Sequence, residues 1–115
     1  NAQPALLAHS AAVWSVIGPR IAPHVRAAAG HSLGEFSAYH AAGALTLADA
    51  ARVVRRRGEL MYETGVARPG AMAAILGTLT TPIETLCATA SAAGEVVPAN
   101  YNADEQIVVS GEVAG

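Results

Sequence analysis

The sequence predicts an α/β fold in two units, and three features of its residue pattern support this prediction. Apolar residues recur at helical spacing in most of the chain up to about Thr64. Within this part, a short apolar segment runs into a glycine-rich turn that opens a helix. After a linker at residues 65–70, the pattern changes to continuous apolar runs with a helical segment between them. We therefore predict one unit over residues 1–69 and a smaller unit over residues 70–115.

The first unit is predicted to contain three helices and a strand. Residues 4–17 form the first helix, which ends at Gly18-Pro19 because glycine and proline stop helices. A strand follows over residues 24–29, and the second helix begins after Ser32. The third helix runs over residues 46–64, with a threonine as its N-cap.

The second unit is predicted to have the order strand, helix, strand, strand. Residues 71–76 are continuously apolar and predict a buried strand, and Thr81-Pro82-Ile83-Glu84 matches a capping box at the start of a helix. This helix carries Cys87 on its apolar face. Because no cationic or basic residue lies near it in sequence, we interpret the cysteine as a core residue rather than a nucleophile. Two apolar runs flank residues 100–106 and predict a hairpin.

Composition excludes several classes of function. Seven Lys or Arg stand against nine Asp or Glu, so there is no basic surplus for nucleic acid or anionic membranes. A lone cysteine and the absence of metal-ligand spacing predict no disulfide, no metal site and a cytoplasmic location. Residues 1–19 fall short of the roughly 20 apolar residues that span a bilayer, so no membrane segment is predicted. The low charged fraction of 14% and a first residue that is not Met suggest part of a longer protein.

The segment Gly30-His31-Ser32-Leu33-Gly34 fits the pattern G-x-S-x-G between a strand and a helix. Glycines on both sides let the backbone fold back tightly and expose the Ser32 hydroxyl at a helix N-terminus. There the Leu33 amide is placed to donate to a developing oxyanion. The alternative is a glycine-rich turn in which Ser32 is an ordinary N-cap.

A nucleophilic serine needs a base, and none of the four histidines is well placed for this role. His40 is about 12 Å further along the same helix, and His24 about 25 Å back along an extended segment. His31 is adjacent to Ser32 on the turn and should point away from it, while His9 lies on the first helix. Either Ser32 is not catalytic, or its base lies outside this chain.

Arg57 interrupts an apolar stripe on the third helix formed by Leu47, Ala50, Val54 and Met61. An inward-facing guanidinium requires an anionic partner, and its planar fork suits a carboxylate. The alternatives are an arginine that extends to solvent and one that pairs with a structural acid.

Several segments together resemble the malonyl-CoA:acyl carrier protein transacylases, acyltransferases of fatty-acid and polyketide synthesis. The segments occur in the same order and at matching spacing, over essentially the whole chain. They are Gln3-Pro4-Ala5-Leu6-Leu7, Gly30-His31-Ser32-Leu33-Gly34-Glu35-Phe36-Ser37-Ala38, Arg57-Gly58 before Met61, Gly70-Ala71-Met72-Ala73-Ala74, and Asn100-Tyr101-Asn102 followed by Gln106-Ile107-Val108-Val109-Ser110-Gly111.

The resemblance implies a ping-pong transfer in which Ser32 takes malonyl from coenzyme A and passes it to the phosphopantetheine thiol of acyl carrier protein. No cofactor is implied beyond the coenzyme A thioester, which is a substrate. Arg57 would hold the malonyl carboxylate, and the Leu33 amide would donate to the oxyanion. Gln3 and His31 match positions that line the pocket, and Asn102 matches one near it. The implied fold is part of an α/β-hydrolase-like core with a nucleophile elbow over residues 1–69, and part of a ferredoxin-like subdomain over residues 70–115.

Two elements of the family pattern are missing from the chain, namely an amino-terminal G-Q-G-x-Q loop and a downstream histidine base. The expected function is therefore that of an incomplete malonyltransferase, inactive by itself. Two alternatives stay open at this point. One is a serine esterase or thioesterase of the α/β-hydrolase type, which has no need for an inward Arg57. The other is a non-catalytic remnant, which the missing base favours.

Overall fold

The computed structural model describes residues 2–115, which form two compact units. The first unit ends at Glu63, and the second is Thr64–Gly115. Helices fill the first unit, and the second combines strands with a helix. The chain therefore has the mixed α/β character that the sequence predicts.

The first unit is built around the packing of its first and third helices. Its helices are α1 (Ala2–Ile21), which continues into a short 3-10 turn (Ala22–His24), α2 (Gly34–Ala41) and α3 (Leu47–Ala67), whose last turn belongs to the second unit. Leu7 from α1 meets Ala50 and Val54 from α3, and all three are almost completely buried. Leu33 and Phe36 pack against this cluster, so the core lies directly beside the serine-containing turn.

The predicted N-cap of α3 is confirmed. The Thr46 hydroxyl accepts a hydrogen bond from the Asp49 backbone N–H at 3.1 Å and donates to the Asp49 carboxylate at 2.6 Å. Arg52 also donates to this carboxylate. The helix therefore begins with one of its free amide groups satisfied, as the sequence predicts.

The predicted end of α1 at Gly18-Pro19 is wrong, because the helix continues to Ile21. Pro19 lies in the last turn, where a proline removes a single backbone hydrogen bond and leaves the preceding turns intact. Gly18 is buried under the indole ring of Trp14, and a Cβ at this position would lie 3.0 Å from that ring. Side-chain packing thus holds the segment helical through the glycine.

This longer helix bears on the prediction that no segment spans a membrane. The helical segment Ala2–His24 contains 23 residues and is long and apolar enough to cross a bilayer by length and composition. Interior helices of water-soluble proteins and amino-terminal signal sequences share these properties.

The predicted strand over residues 24–29 does not form. The 3-10 turn occupies its start, and Val25 has an extended conformation with φ −77° and ψ 130°. Residues 25–30 belong to neither a helix nor a strand. A strand needs a neighbour for its ladder of hydrogen bonds, and the described part of the first unit holds no other extended segment that could supply one.

The second unit contains β1 (Ala71–Leu76), α4 (Ile83–Ala90), β2 (Val96–Ala103) and β3 (Gln106–Gly111), in the predicted order. The strands form an antiparallel sheet with the order β1-β3-β2, and β2 and β3 are the predicted hairpin. Helix α4 packs against β2. Cys87 on α4 is buried, so its interpretation as a core residue is confirmed.

Two local predictions for this unit are wrong. Strand β1 is largely exposed rather than buried, with Met72 and Leu76 among its exposed side chains, because α4 packs on the other edge strand. The capping box before α4 is also not made: Pro82 is the N-cap and no side chain caps the helix. Glu84 instead accepts a hydrogen bond from the Tyr101 hydroxyl at 2.7 Å, which lowers the pKa of its carboxyl.

Candidate active site

The turn before α2 holds Ser32 in an unusual backbone conformation. Its φ is +52°, and among residues 2–115 it is the single non-glycine residue with a positive φ. This left-handed conformation costs a serine of the order of 1 kcal/mol relative to ordinary regions. The surrounding turn therefore imposes the conformation on Ser32.

Gly30 makes the turn possible because it lies against the first residue of α2. A Cβ on Gly30 would be 2.0 Å from the Gly34 carbonyl carbon, a distance that no side chain tolerates. The expectation that both glycines are needed is wrong for Gly34, since a Cβ there would meet no atom within 4 Å. The tight approach thus depends on the glycine before Ser32 and not on the one after it.

The backbone amides at the start of α2 differ in their hydrogen bonding. The amides of Gly34, Glu35 and Phe36 donate to carbonyl groups within the turn, at 2.8, 3.2 and 3.0 Å. The Leu33 amide has no such acceptor in the described part of the chain. Ser32 is not an ordinary N-cap, because Leu33 holds that position and no side chain caps the helix. The Leu33 N–H therefore remains available at the positive end of α2.

The side chain of Arg57 reaches the serine from α3. Its Nη2 donates to the Ser32 Oγ at 2.9 Å, and its Nη1 donates to the Gln3 Oε1 at 2.6 Å. The guanidinium carbon lies 6.0 Å from the centroid of the Phe36 ring. Three separated segments thus bring Gln3, Ser32 and Arg57 together in the first unit.

The guanidinium of Arg57 is half-buried and has only neutral acceptors. Three neighbouring arginines of α3 pair with carboxylates on the same helix, whereas Arg57 takes part in no ion pair within the described residues. Those neighbours are Arg52, Arg55 and Arg56. The alternative of a structural acid beside Arg57 is therefore wrong for residues 2–115. A positive charge with a planar set of donors next to a serine hydroxyl is suited to bind a carboxylate.

Gln3 is held at both ends of its amide. The oxygen accepts from Arg57, and the nitrogen donates to the Met61 sulfur at 3.2 Å. Gly58, one turn before Met61, faces the same side chain, and a Cβ on Gly58 would make an ordinary van der Waals contact with the Gln3 amide at 3.7 Å. Met61 and Phe36 were not identified from the sequence as site residues. Met61 lies four residues after Arg57 on α3, a helical spacing that could have found it, whereas Phe36 is on α2 and Ser32 precedes that helix.

The remaining predicted site residues lie at different places. His31 is exposed in the turn next to Ser32. Asn102 lies on β2 in the second unit, where its amide donates to the Gln106 side chain at 3.1 Å. The His40 ring has its Nδ1 3.2 Å from the Leu45 carbonyl oxygen, which is a structural contact. No group of three or more His, Cys, Asp or Glu side chains within residues 2–115 is arranged to hold a metal ion.

Comparison with known proteins places the chain in a family. Residues 1–114 match the family described as acyl transferase domain. A malonyl CoA-acyl carrier protein transacylase of Bacillus subtilis is 47% identical over 117 residues, and one of Staphylococcus aureus is 41% identical over 115 residues. These alignments cover 100% and 99% of the chain but 36% of each relative, so the chain spans about a third of their length.

Solved structures share the fold. An acyl-carrier-protein-S-malonyltransferase from Bartonella henselae superposes with a TM-score of 0.86 at 44% identity, over 97% of this chain and 37% of that one. A malonyl transacylase solved in complex with a type II PKS acyl carrier protein gives a TM-score of 0.78 at 38% identity, over 97% of this chain and 36% of that one.

Proposed function

Because the chain belongs to the acyl transferase domain family, we propose that the complete protein containing it transfers malonyl from coenzyme A to an acyl carrier protein. The family membership confirms the resemblance seen in the sequence. The relatives from B. subtilis and S. aureus carry the name of this reaction, and one similar structure contains an acyl carrier protein. Malonyl-CoA and the carrier's phosphopantetheine thiol are the proposed donor and acceptor.

The observation that carries the proposal is the position of the Arg57 guanidinium, 2.9 Å from the Ser32 hydroxyl and paired with neutral groups only. In a malonyl ester on Ser32, a single CH₂ separates the ester carbonyl from the free carboxylate. The carboxylate therefore falls within reach of the guanidinium. Exchange of two neutral acceptors for a carboxylate gives Arg57 a charge-assisted, bidentate pair.

The first half-reaction uses Ser32 as the nucleophile. Its Oγ attacks the thioester carbonyl of malonyl-CoA, and its proton passes to a general base. The Leu33 N–H donates to the oxyanion that forms on the carbonyl oxygen. Collapse of the tetrahedral intermediate breaks the carbon–sulfur bond, and coenzyme A leaves as a thiol after it takes up the proton.

The second half-reaction reverses these roles. The phosphopantetheine thiol loses its proton to the base and attacks the ester carbonyl, and the bond to Ser32 Oγ breaks as the serine regains a proton. No cofactor is needed beyond the thioester. We infer that the base is supplied by residues outside this chain, since His40 is engaged by the Leu45 carbonyl and the relatives are nearly three times as long. Gln3 and His31 are the proposed lining residues, and Asn102 is kept as the residue that the resemblance implies near the pocket.

The finer description of the fold belongs to the same proposal. Residues 1–69 would be part of an α/β-hydrolase-like core, in which the segment 25–30, the Ser32 turn and α2 form the nucleophile elbow. Residues 70–115 would be part of a ferredoxin-like subdomain, a proposal supported by the β-α-β-β order and the antiparallel sheet. We place the complete protein in the cytoplasm, where α1 would pack in its interior.

The other two candidate functions are less consistent with the site. An esterase or thioesterase for uncharged acyl groups has no use for a half-buried guanidinium at the nucleophile. A non-catalytic remnant has no use for the backbone strain at Ser32. Both alternatives therefore leave a costly feature of the site unexplained.

The proposal is tested by loading the complete protein with malonyl-CoA in the absence of carrier protein. Mass spectrometry of a digest should find malonyl on the peptide that contains Ser32, and addition of carrier protein should remove it. The Ser32→Ala variant is the control and should remain unlabelled. A complete protein that hydrolyses simple esters but retains no malonyl would show that an esterase is the better description.

A further inference from the structure

The aromatic ring of Phe36 faces the guanidinium of Arg57 from α2. The distance of 6.0 Å from the guanidinium carbon to the ring centroid is at the limit for a cation–π contact. The ring of Phe36 meets the site at the Arg57 guanidinium, whereas its backbone belongs to the turn that carries Ser32. Gln3 and Ser32 accept hydrogen bonds from the guanidinium, whereas the Phe36 ring contacts it without accepting one.

Phe36 is itself held firmly. It packs against the buried cluster of Leu7, Ala50 and Val54, and its ring meets the ring of Tyr39 edge-on, at 6.3 Å and 80°. The Tyr39 hydroxyl is fixed in turn by a hydrogen bond of 2.6 Å to Glu35. A ring anchored in the core gives the long and flexible arginine side chain a fixed surface.

From this geometry we propose that Phe36 is a positioning residue, which holds the Arg57 guanidinium beside Ser32 and thereby favours acyl groups that bear a carboxylate. The inference rests on the proposed malonyl transfer. An unpositioned arginine would sample many rotamers, and ordering it would oppose binding of the carboxylate. The π face reduces this cost before the acyl group arrives, and it attracts the positive charge without competing as an anion.

The test compares Phe36→Leu, which keeps apolar bulk but removes the ring, with Phe36→Tyr, which keeps the ring. In the complete protein, Phe36→Leu should raise KM for malonyl-CoA by about 3- to 30-fold, as loss of a cation–π contact predicts. The kinetic constants for acetyl-CoA should stay near those of the wild type, and Phe36→Tyr should behave as the wild type does. Tyr62→Leu removes an exposed ring from α3 and serves as the matched control.

A double-mutant cycle with Arg57→Ala separates positioning from general packing. If Phe36 acts through Arg57, Phe36→Leu should have no further effect on malonyl transfer once Arg57 is alanine. Equal losses for malonyl and acetyl transfer, or the same loss with and without Arg57, would overturn the inference and leave the proposed function standing. A wild-type protein that loads no malonyl would overturn the proposed function instead.

Discussion

Replacement of Arg57 by alanine should reduce malonyl transfer far more than acetyl transfer. The guanidinium is half-buried, 2.9 Å from the Ser32 hydroxyl, and has no carboxylate partner among the described residues. A malonyl carboxylate would supply that partner, whereas the acetyl group has no charge to offer. The variant therefore loses an interaction that only the dicarboxylic acyl group makes.

The size of the effect follows from the burial of the site. An exposed ion pair contributes about 1 kcal/mol or less, and breaking a buried pair costs about 3–5 kcal/mol. The half-buried Arg57 lies between these cases, so we expect about 2–4 kcal/mol. Since about 1.4 kcal/mol corresponds to a factor of ten, kcat/KM for malonyl-CoA should fall by about 30- to 1000-fold.

The assay measures kcat/KM for malonyl-CoA and for acetyl-CoA in the complete protein. Arg57→Lys should recover little of the malonyl activity, because an ammonium group lacks the planar fork. Arg55→Ala is the matched control, since this arginine is on the same helix but exposed and paired with Glu59. Equal losses with both substrates would refute the reasoning and would make Arg57 a structural residue.

Four further predictions concern the nucleophile, the extent of the chain and the stability of the first unit. Malonyl should be found on Ser32 alone when the loaded complete protein is digested and sequenced by mass spectrometry, and label on the buried Cys87 would contradict the assignment. The isolated 115-residue chain should transfer malonyl at least about 100-fold more slowly than the complete protein in the same kinetic assay, because we place the general base elsewhere. Thr46→Ala should lower the free energy of unfolding of the complete protein by about 0.5–2 kcal/mol in urea, while Thr46→Ser retains most of it. A hydrogen bond from Thr46, and to a smaller extent one from Arg52, lowers the pKa of Asp49 below its ordinary value of 3.8. The ionised carboxylate therefore stabilises the fold above pH 3.8, and this contribution disappears as the pH falls through the pKa of the folded state. The melting temperature should therefore fall more steeply below about pH 4 in the wild type than in Asp49→Asn, and parallel curves would contradict this assignment.

Local sequence patterns were sufficient to predict the helices and the hairpin. The spacing of apolar residues predicts α1 and α3, and the alternation of apolar and polar runs predicts β2 and β3. The predictions that failed needed knowledge of distant partners. Residues 25–30 are apolar enough for a strand but lack a neighbouring strand, and Gly18-Pro19 remains helical because the Trp14 ring covers the glycine.

In the candidate site, too, local patterns identified some residues and distant contacts determined the others. Ser32 and Arg57 were identified from their own surroundings, a turn motif and an interrupted apolar stripe. Gln3 was identified through the family resemblance alone, because its contact with Arg57 joins residues 54 positions apart. Periodicity within a helix carries no information about which other helix it will meet. Phe36 enters the site for the same reason, through the packing of α2 beside Arg57, whereas Met61 follows Arg57 by four residues on α3 and that spacing could have found it.

The positive φ of Ser32 has a consequence for any attempt to stabilise this protein by mutation. Glycine adopts that conformation without penalty, so a screen that selects for melting temperature alone would favour glycine at this position. This gain in stability would remove the Ser32 hydroxyl, which is the proposed nucleophile. A search for variants of higher melting temperature should therefore exclude Ser32. At this position, higher stability indicates loss of activity.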